Sequence, residues 1–156
     1  MATHHEVKQY LALWFQLGKS VENDRTGERF CIRQIAYGSG YSWDFERCWH
    51  CIERNPSRFH LDGDPHTIAD LLTPQWEIQT CPRCVMPVPL SVLGCSAGPC
   101  TCHDLPLWPN TEIPQPHLPV SDTEHLSTIC SRLILRNLAI DEDEDQEPED
   151  QQPNAG

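Results

Sequence analysis

Two closely spaced pairs of cysteines are the residues most able to carry chemistry, Cys81-Pro-Arg-Cys84 and Cys100-Thr-Cys102. In the first pair a tight turn can bring both thiolates to one metal ion, and the proline presets the backbone for that turn. In the second pair residues i and i+2 of an extended backbone point to the same face, so these sulfurs can also converge. Zinc takes four such ligands in a tetrahedron. The two pairs therefore predict a metal site.

A strand that ends in Cys-Pro-x-Cys, followed by a loop and a second cysteine pair, resembles the zinc-ribbon or rubredoxin-type knuckle over residues 76–105. That resemblance implies a structural zinc site whose four thiolates come from Cys81, Cys84, Cys100 and Cys102. Thiolates also suit iron. The second pair departs from the usual C-x2-C spacing, and Cys95 or His103 is an alternative ligand. The chain as a whole also resembles a family of cyanobacterial proteins, which implies no mechanism.

A further dithiol, Cys48-Trp-His-Cys51, resembles the C-x2-C motif of thioredoxin-type enzymes. Its apolar neighbours favour burial in the core, and the first cysteine falls in the middle of a predicted helix instead of capping one. Two other interpretations stay open. One is thiol–disulfide redox chemistry, and the other is a second metal site completed by Cys31, His50 or His60.

Residues 82–119 contain nine of the 14 prolines, which excludes long helices and disfavours central strands. Such a composition usually indicates a linker. The same segment nevertheless carries Leu105, Leu107, Trp108 and Ile113, too much apolar surface for a pure linker. We therefore expect its cysteines and a bound metal to organise it.

The elements that must position the cysteines follow from capping and periodicity. Thr3 and Glu6 predict a capped helix that ends at Gly18, and Ser42 predicts a cap for a second helix over 43–54. Strands are predicted in 19–41, at 59–61 and at 76–80, the last leading into Cys81, and Thr67 caps a short helix.

These elements predict an α+β fold with a small antiparallel sheet, two longer helices, a zinc knuckle with Pro-rich coil, and a C-terminal helix. We divide the chain into an α+β body over 1–80, a Cys/Pro-rich knuckle segment over 81–119, a helix over 120–140 packing on the body, and a disordered acidic tail over 141–156.

Charge narrows the function. The 156-residue chain has a net charge of −12, and residues 141–156 contribute eight acidic and no basic side chains, which leaves −4 for the rest. Such a body has few cations for phosphates, so we expect no direct nucleic-acid binding. The apolar runs are too short to insert into a membrane, and the N-terminus lacks signal-peptide features. We therefore expect a cytoplasmic location.

The sequence favours a non-catalytic zinc-ribbon protein that binds another protein as an interaction, assembly or regulatory factor. No phosphate-loop, nucleophile-elbow or H-E-x-x-H motif is present. The first alternative is a thiol–disulfide redox protein that uses Cys48 and Cys51. The second is a transcription-associated zinc-ribbon factor. The partner and the oligomeric state are not predicted.

Overall fold

The computed structural model describes residues 1–94, 100–110 and 112–121, together with Leu126, Cys130 and Ser131. The chain divides into two units, Met1–Pro119 and Val120–Gly156, and every element below lies in the first. The predicted acidic tail over 141–156 lies outside the described residues, as does most of the helix predicted over 120–140.

Helix α1, His4–Gln16, has the predicted capping box. The Thr3 hydroxyl accepts from the Glu6 amide at 3.2 Å, and the Glu6 carboxylate accepts from the Thr3 amide at 2.7 Å. Gly18, at φ +85°, follows the end of the helix. The buried residues of α1 are Val7, Tyr10, Leu11, Ala12, Trp14 and Phe15. They form much of the hydrophobic core.

Two further helices follow, and α2 packs against α1. Helix α2, Trp43–Arg54, begins after Ser42, whose hydroxyl accepts from the Phe45 amide as predicted. Phe45 meets Phe15 of α1 edge to face, with ring centroids 5.9 Å apart. A 3-10 turn, Pro56–Arg58, follows, and helix α3, Ile68–Leu71, has a second capping box built on Thr67.

Five short strands lie before α3: β1 Val21–Asn23, β2 Arg29–Phe30, β3 Ala36–Tyr37, β4 Gly40–Tyr41 and β5 Phe59–Leu61. An antiparallel sheet has the order β2-β1-β5, and Val21 of β1 pairs with both Phe30 and Leu61. Strands β3 and β4 form a separate hairpin, and Gly38, at φ +60°, allows its tight turn. Strand β2 ends at Phe30.

A last hairpin leads into the cysteines. Strand β6, Trp76–Thr80, pairs antiparallel with β7, Pro87–Ser91, which falls in the segment predicted to be coil. Pro87 and Pro89 have no N–H, so the pairs Gln79–Val88 and Glu77–Leu90 must carry the interstrand bonds. The missing donors then face the outer edge of β7, where they cannot recruit another strand.

The knuckle segment contacts the body through polar side chains. Trp14 donates its indole N–H to the Pro87 carbonyl at 2.8 Å. Gln16 donates to the His117 carbonyl at 2.8 Å and accepts from the His117 amide at 3.1 Å. These bonds join α1 to both ends of the proline-rich chain.

The predicted α+β class is confirmed, with α1 and α2 as its two longer helices and three small antiparallel sheets. Within the residues described, no helix has the length and apolar character needed to cross a bilayer.

Candidate metal centre

The first cysteine pair lies in the turn that connects β6 to β7. The Cys81 amide donates to the Met86 carbonyl at 2.8 Å, which extends the ladder of the hairpin by one step. The Val85 amide then folds back to the Cys81 carbonyl at 2.9 Å. These two bonds close a compact loop, and Cys84 lies within it. The hairpin therefore presents both sulfurs on one side, as the C-x2-C spacing predicts.

The second pair approaches this loop through a separate turn. The His103 amide donates to the Cys100 carbonyl at 2.8 Å, and the Leu105 amide donates to the Cys102 carbonyl at 3.1 Å. Cys102 is buried, and Cys100 is half-buried. A turn of this kind places both sulfurs of the C-x-C pair toward the turn that carries Cys81 and Cys84.

The structure brings three of the four predicted cysteines into one mutually close group and places the fourth, Cys102, next to Cys100. The sulfurs of Cys81, Cys84 and Cys100 all lie within 4.8 Å of one another. The Cys84 and Cys100 sulfurs are 3.8 Å apart, and those of Cys100 and Cys102 are 3.2 Å apart. A tetrahedral ion with sulfur ligands at 2.3 Å has sulfur–sulfur edges of about 3.8 Å. The cluster of Cys81, Cys84, Cys100 and Cys102, hereafter the cysteine cluster, can therefore hold a metal ion.

Backbone amides point at the sulfurs. Burial raises the pKa of the Cys81 thiol, but hydrogen bonds from the amides of Cys84 and Arg83 outweigh it, so this pKa is lowered overall. Burial raises the pKa of Cys84 to about 11, against an opposing bond from the Met86 amide. Burial likewise raises the pKa of Cys100. Without a cation the cluster favours one thiolate among thiols, whereas a bound cation deprotonates every ligand.

A buried ion pair holds the turn that carries Cys100 and Cys102, hereafter the second knuckle, against the body. Lys19 is 2% exposed, and its ammonium donates to both oxygens of Asp104 at 2.7 and 2.6 Å and to the Asp62 carbonyl at 3.0 Å. Asp104 follows Cys102 by two residues. The ion pair therefore fixes the end of the second turn to the chain beside β5.

The alternative ligands are placed differently. His103 is exposed and is not part of the cysteine cluster. Cys95 lies outside the described residues. Trp108 is buried, and with Arg83, Cys84 and Val85 it lines a groove on the outer side of the knuckle.

One residue of the first turn adopts an unfavourable conformation. Val85 has φ +60°, a region where an L-residue costs roughly 1–2 kcal/mol, and a β-branched side chain is especially disfavoured there. Its side chain is exposed, so truncation removes no packing. Val85→Gly is therefore expected to stabilise the protein by about 1 kcal/mol in urea denaturation.

Val92 is the matched control for this prediction. It is also exposed, but its φ is not positive. Val92→Gly is expected to destabilise the protein by roughly 0.5–1 kcal/mol, because glycine only adds entropy to the unfolded chain there. If the two variants have equal stability, the Val85 conformation carries no strain.

The other dithiol, Cys48 and Cys51, lies in the middle of α2 and not at a helix N-terminus. Cys48 is buried and Cys51 is exposed. Burial raises the pKa of Cys48 to about 12, so it is a thiol at neutral pH, which opposes the redox interpretation. Cys31 is exposed, and the described part of the chain has no second group of three potential ligands.

Alkylation rates provide a test of this assignment. Since only the thiolate reacts, iodoacetamide at pH 8 is expected to modify Cys51 much faster than Cys48. The raised pKa also means that the folded state holds a proton that the unfolded state releases near pH 9. Stability should therefore fall as pH rises between about 9 and 12, and a Cys48→Ala variant should show a shallower fall. Rapid labelling of Cys48 in the folded protein would contradict the assignment.

Sequence reasoning missed a polar network next to the cysteine cluster. Asp64 is buried and accepts hydrogen bonds from Tyr10 and from His66. The only local signal was the spacing of Asp64 and His66, two residues apart in a turn that precedes a capped helix. Tyr10 belongs to the apolar face of α1, so no local pattern could assign it a polar partner.

Comparisons of the chain with models of protein families, with curated proteins and with solved structures give no match.

Proposed function

We propose that this protein is a non-catalytic zinc protein in which Cys81, Cys84, Cys100 and Cys102 bind one structural Zn²⁺ and the assembled knuckle binds another protein. The observation that supports the proposal is the convergence of Cys81, Cys84 and Cys100 at the end of the β6–β7 hairpin, with their sulfurs within 4.8 Å of one another. The Cys102 sulfur lies 3.2 Å from that of Cys100. Amide donors to Cys81 support the same assignment, because such bonds stabilise thiolate ligands. Iron is the alternative metal.

We assign no catalytic role to the metal because four protein ligands fill its coordination sphere. A structural zinc site is closed, whereas a catalytic site keeps one position for water or substrate. Three of the four cysteines are buried, and Cys100 is half-buried. An ion held in this way contributes stability, and it shapes a surface without performing chemistry on that surface.

The surface next to the knuckle supports protein binding. Val85, which is 65% exposed, projects from the first turn, and Leu107 is exposed next to Trp108. The groove between the knuckle and the proline-rich chain has a volume of about 430 Å³, and Arg83 and Ile113 also line it. An exposed apolar rim with one cation is typical of a contact surface. The metal would set its shape, because Cys84 forms part of the groove.

Elemental analysis of the purified full-length protein tests the metal, with one equivalent of zinc expected.

Affinity purification from the source cell then tests the binding role. A stoichiometric partner should be retained by wild type and by Tyr37→Asp, and lost by Val85→Asp. Tyr37 is as exposed as Val85 but lies in the β3–β4 hairpin, outside the groove. Failure to recover any stoichiometric partner would contradict the binding role, and a metal-free native protein would contradict the zinc site.

The thiol–disulfide interpretation is the rival from a different class. It requires Cys48 to form a thiolate, and the burial of this residue opposes that step. An insulin-reduction assay separates the two, because Cys48→Ser must abolish any activity if the rival is correct. A transcription-associated role is a version of the binding proposal in which polymerase, and not nucleic acid, is the partner.

A further inference from the structure

A second cavity lies on the other side of the cysteine cluster and has a volume of about 380 Å³. One wall is polar and includes Asp64 and His66, and another is apolar and is formed by residues 88–90 of β7. The two cysteine turns also line the cavity, one through Cys81 and the other through Cys100. The volume is within the range of pockets that bind small ligands, and the mixture of one apolar wall with a few convergent polar groups is typical of them.

A buried carboxylate organises the polar wall. Asp64 is 5% exposed. One of its oxygens accepts from the Tyr10 hydroxyl at 2.8 Å. The other accepts from the ring Nδ1 of His66 at 2.7 Å and from the His66 amide at 3.0 Å. The Thr101 hydroxyl hydrogen-bonds to Tyr10 in turn. The network therefore connects the residue between Cys100 and Cys102 to the histidine in the cavity.

This network determines which nitrogen of His66 is free. An ionised carboxylate only accepts hydrogen bonds, so Nδ1 carries a proton, and in the neutral imidazole Nε2 then has the lone pair. The ring packs against Trp76 with centroids 4.0 Å apart, which limits its rotation. Its side chain keeps 18% of its surface accessible. Because Nδ1 is bonded to Asp64, Nε2 is the ring nitrogen left for a ligand, and in the neutral ring it is an acceptor.

The charge around the cavity favours cations. The described residues that line it include no Lys or Arg, and they include the Asp64 carboxylate. Lys19 lies beside Gly63 at the margin, but its ammonium is fully engaged by Asp104 and the Asp62 carbonyl. Since Asp104 balances the Lys19 charge, the Asp64 carboxylate leaves the cavity attractive to positive charge and repulsive to anions such as phosphate.

We propose that this cavity binds a small organic cation with N–H donors, an alkylammonium or guanidinium group, which donates to Nε2 of His66 under the field of Asp64 while its apolar part packs on residues 88–90. Such a group can belong to a free amine or to a basic side chain of a partner protein. The inference goes beyond the proposed function, but it requires the cysteine turns that border the cavity to be in place. Metal content is therefore measured in every sample.

Titration of the full-length protein with n-butylammonium and with methylguanidinium, followed by NMR, tests the site. Saturable shifts are expected at Gln79, Thr80 and the His66 ring, with no saturable shift from n-butanol or inorganic phosphate. His66→Phe keeps a ring against Trp76 but removes Nε2, and it should weaken binding about tenfold or more. His60→Ala is the matched control. His60 also pairs with an aspartate, Asp24, at 2.7 Å, but it does not line the cavity, so binding should be unchanged.

The outcomes separate this proposal from the metal site. Absence of saturable shifts in protein with a full metal complement overturns the cation site and leaves the zinc proposal intact. Equal binding by His66→Phe, or competition by phosphate, also overturns it. Protein that lacks metal but still binds the amines supports the cavity and contradicts the zinc proposal. If an arginine- or lysine-containing peptide binds more tightly than the free amine, the source is a partner's side chain, and equal affinity indicates a free amine.

Discussion

A Cys84→Ser variant is expected to lose the bound metal ion and to fall in stability by several kcal/mol. Cys84 is 2% exposed, and its sulfur lies 3.8 Å from that of Cys100. Structural zinc contributes roughly 10–16 kcal/mol to the folding of small peptides at neutral pH, which matches or exceeds the net stability of a whole domain. Serine at a ligand position is a poor donor to zinc, so several kcal/mol of that contribution should disappear. Metal content and urea denaturation measure both effects.

Cys51→Ser is the control for this variant. Cys51 is exposed on α2 and is not part of the cysteine cluster, so its replacement should leave metal content and stability unchanged. A chelator added to wild type should reproduce the Cys84→Ser result. Acid should do the same, because thiolate ligands must be deprotonated to bind. If wild type binds no metal and amide exchange in residues 81–94 is nevertheless slow, the hairpin is stable by itself and the zinc assignment fails.

An Asp104→Ala variant is expected to destabilise the protein by about 3 kcal/mol. Its carboxylate is the only charged partner that the Lys19 ammonium has in the described structure. The Lys19 side chain is 3% exposed, so removal of the carboxylate leaves a buried, uncompensated charge, and breaking such a pair costs roughly 3–5 kcal/mol. Asp104 is itself 41% exposed, which places the effect at the lower end of that range. Urea denaturation at neutral pH measures it.

Arg29→Ala provides a matched comparison for the ion pair. Arg29 pairs with Glu22 at 3.0 Å on the surface, and exposed pairs contribute about 0–1 kcal/mol. A double variant, Lys19→Met with Asp104→Leu, removes both charges and should recover most of the lost stability. If Asp104→Ala costs no more than Arg29→Ala, the ion pair does not hold the second knuckle to the body.

Cys84→Ser and Asp104→Ala test separately the two kinds of contact that order the proline-rich segment. The cysteine cluster joins its two turns to each other, while Asp104, Pro87 and His117 join it to the body. Loss of metal in Cys84→Ser should leave the body folded. Loss of the ion pair should lower stability without changing the metal stoichiometry.

The sequence alone was sufficient for the elements whose signals are local. The capping box at Thr3 and the caps at Ser42 and Thr67 are all observed, and strands lie at 59–61 and 76–80 as predicted. Each of these signals depends on side chains and amides within about four residues of one another. The pairing of Cys81 with Cys84 belongs to the same class, since a single turn brings the two sulfurs together.

The tertiary structure decided whatever depends on residues distant in sequence. Strand β7 forms despite two prolines because the N–H groups that they lack would face its outer edge, while Val88 and Leu90 pair with β6 on the inner edge. The network from Tyr10 through Asp64 to His66 forms only where α1, the β5–α3 turn and the second knuckle meet. The same meeting of elements determines which surface covers the cysteine cluster. A single hydrogen bond across 54 residues leaves no periodic or spacing signal in the chain. Local order could therefore be predicted from the sequence, whereas the cavity and its charge could only be observed in the folded protein.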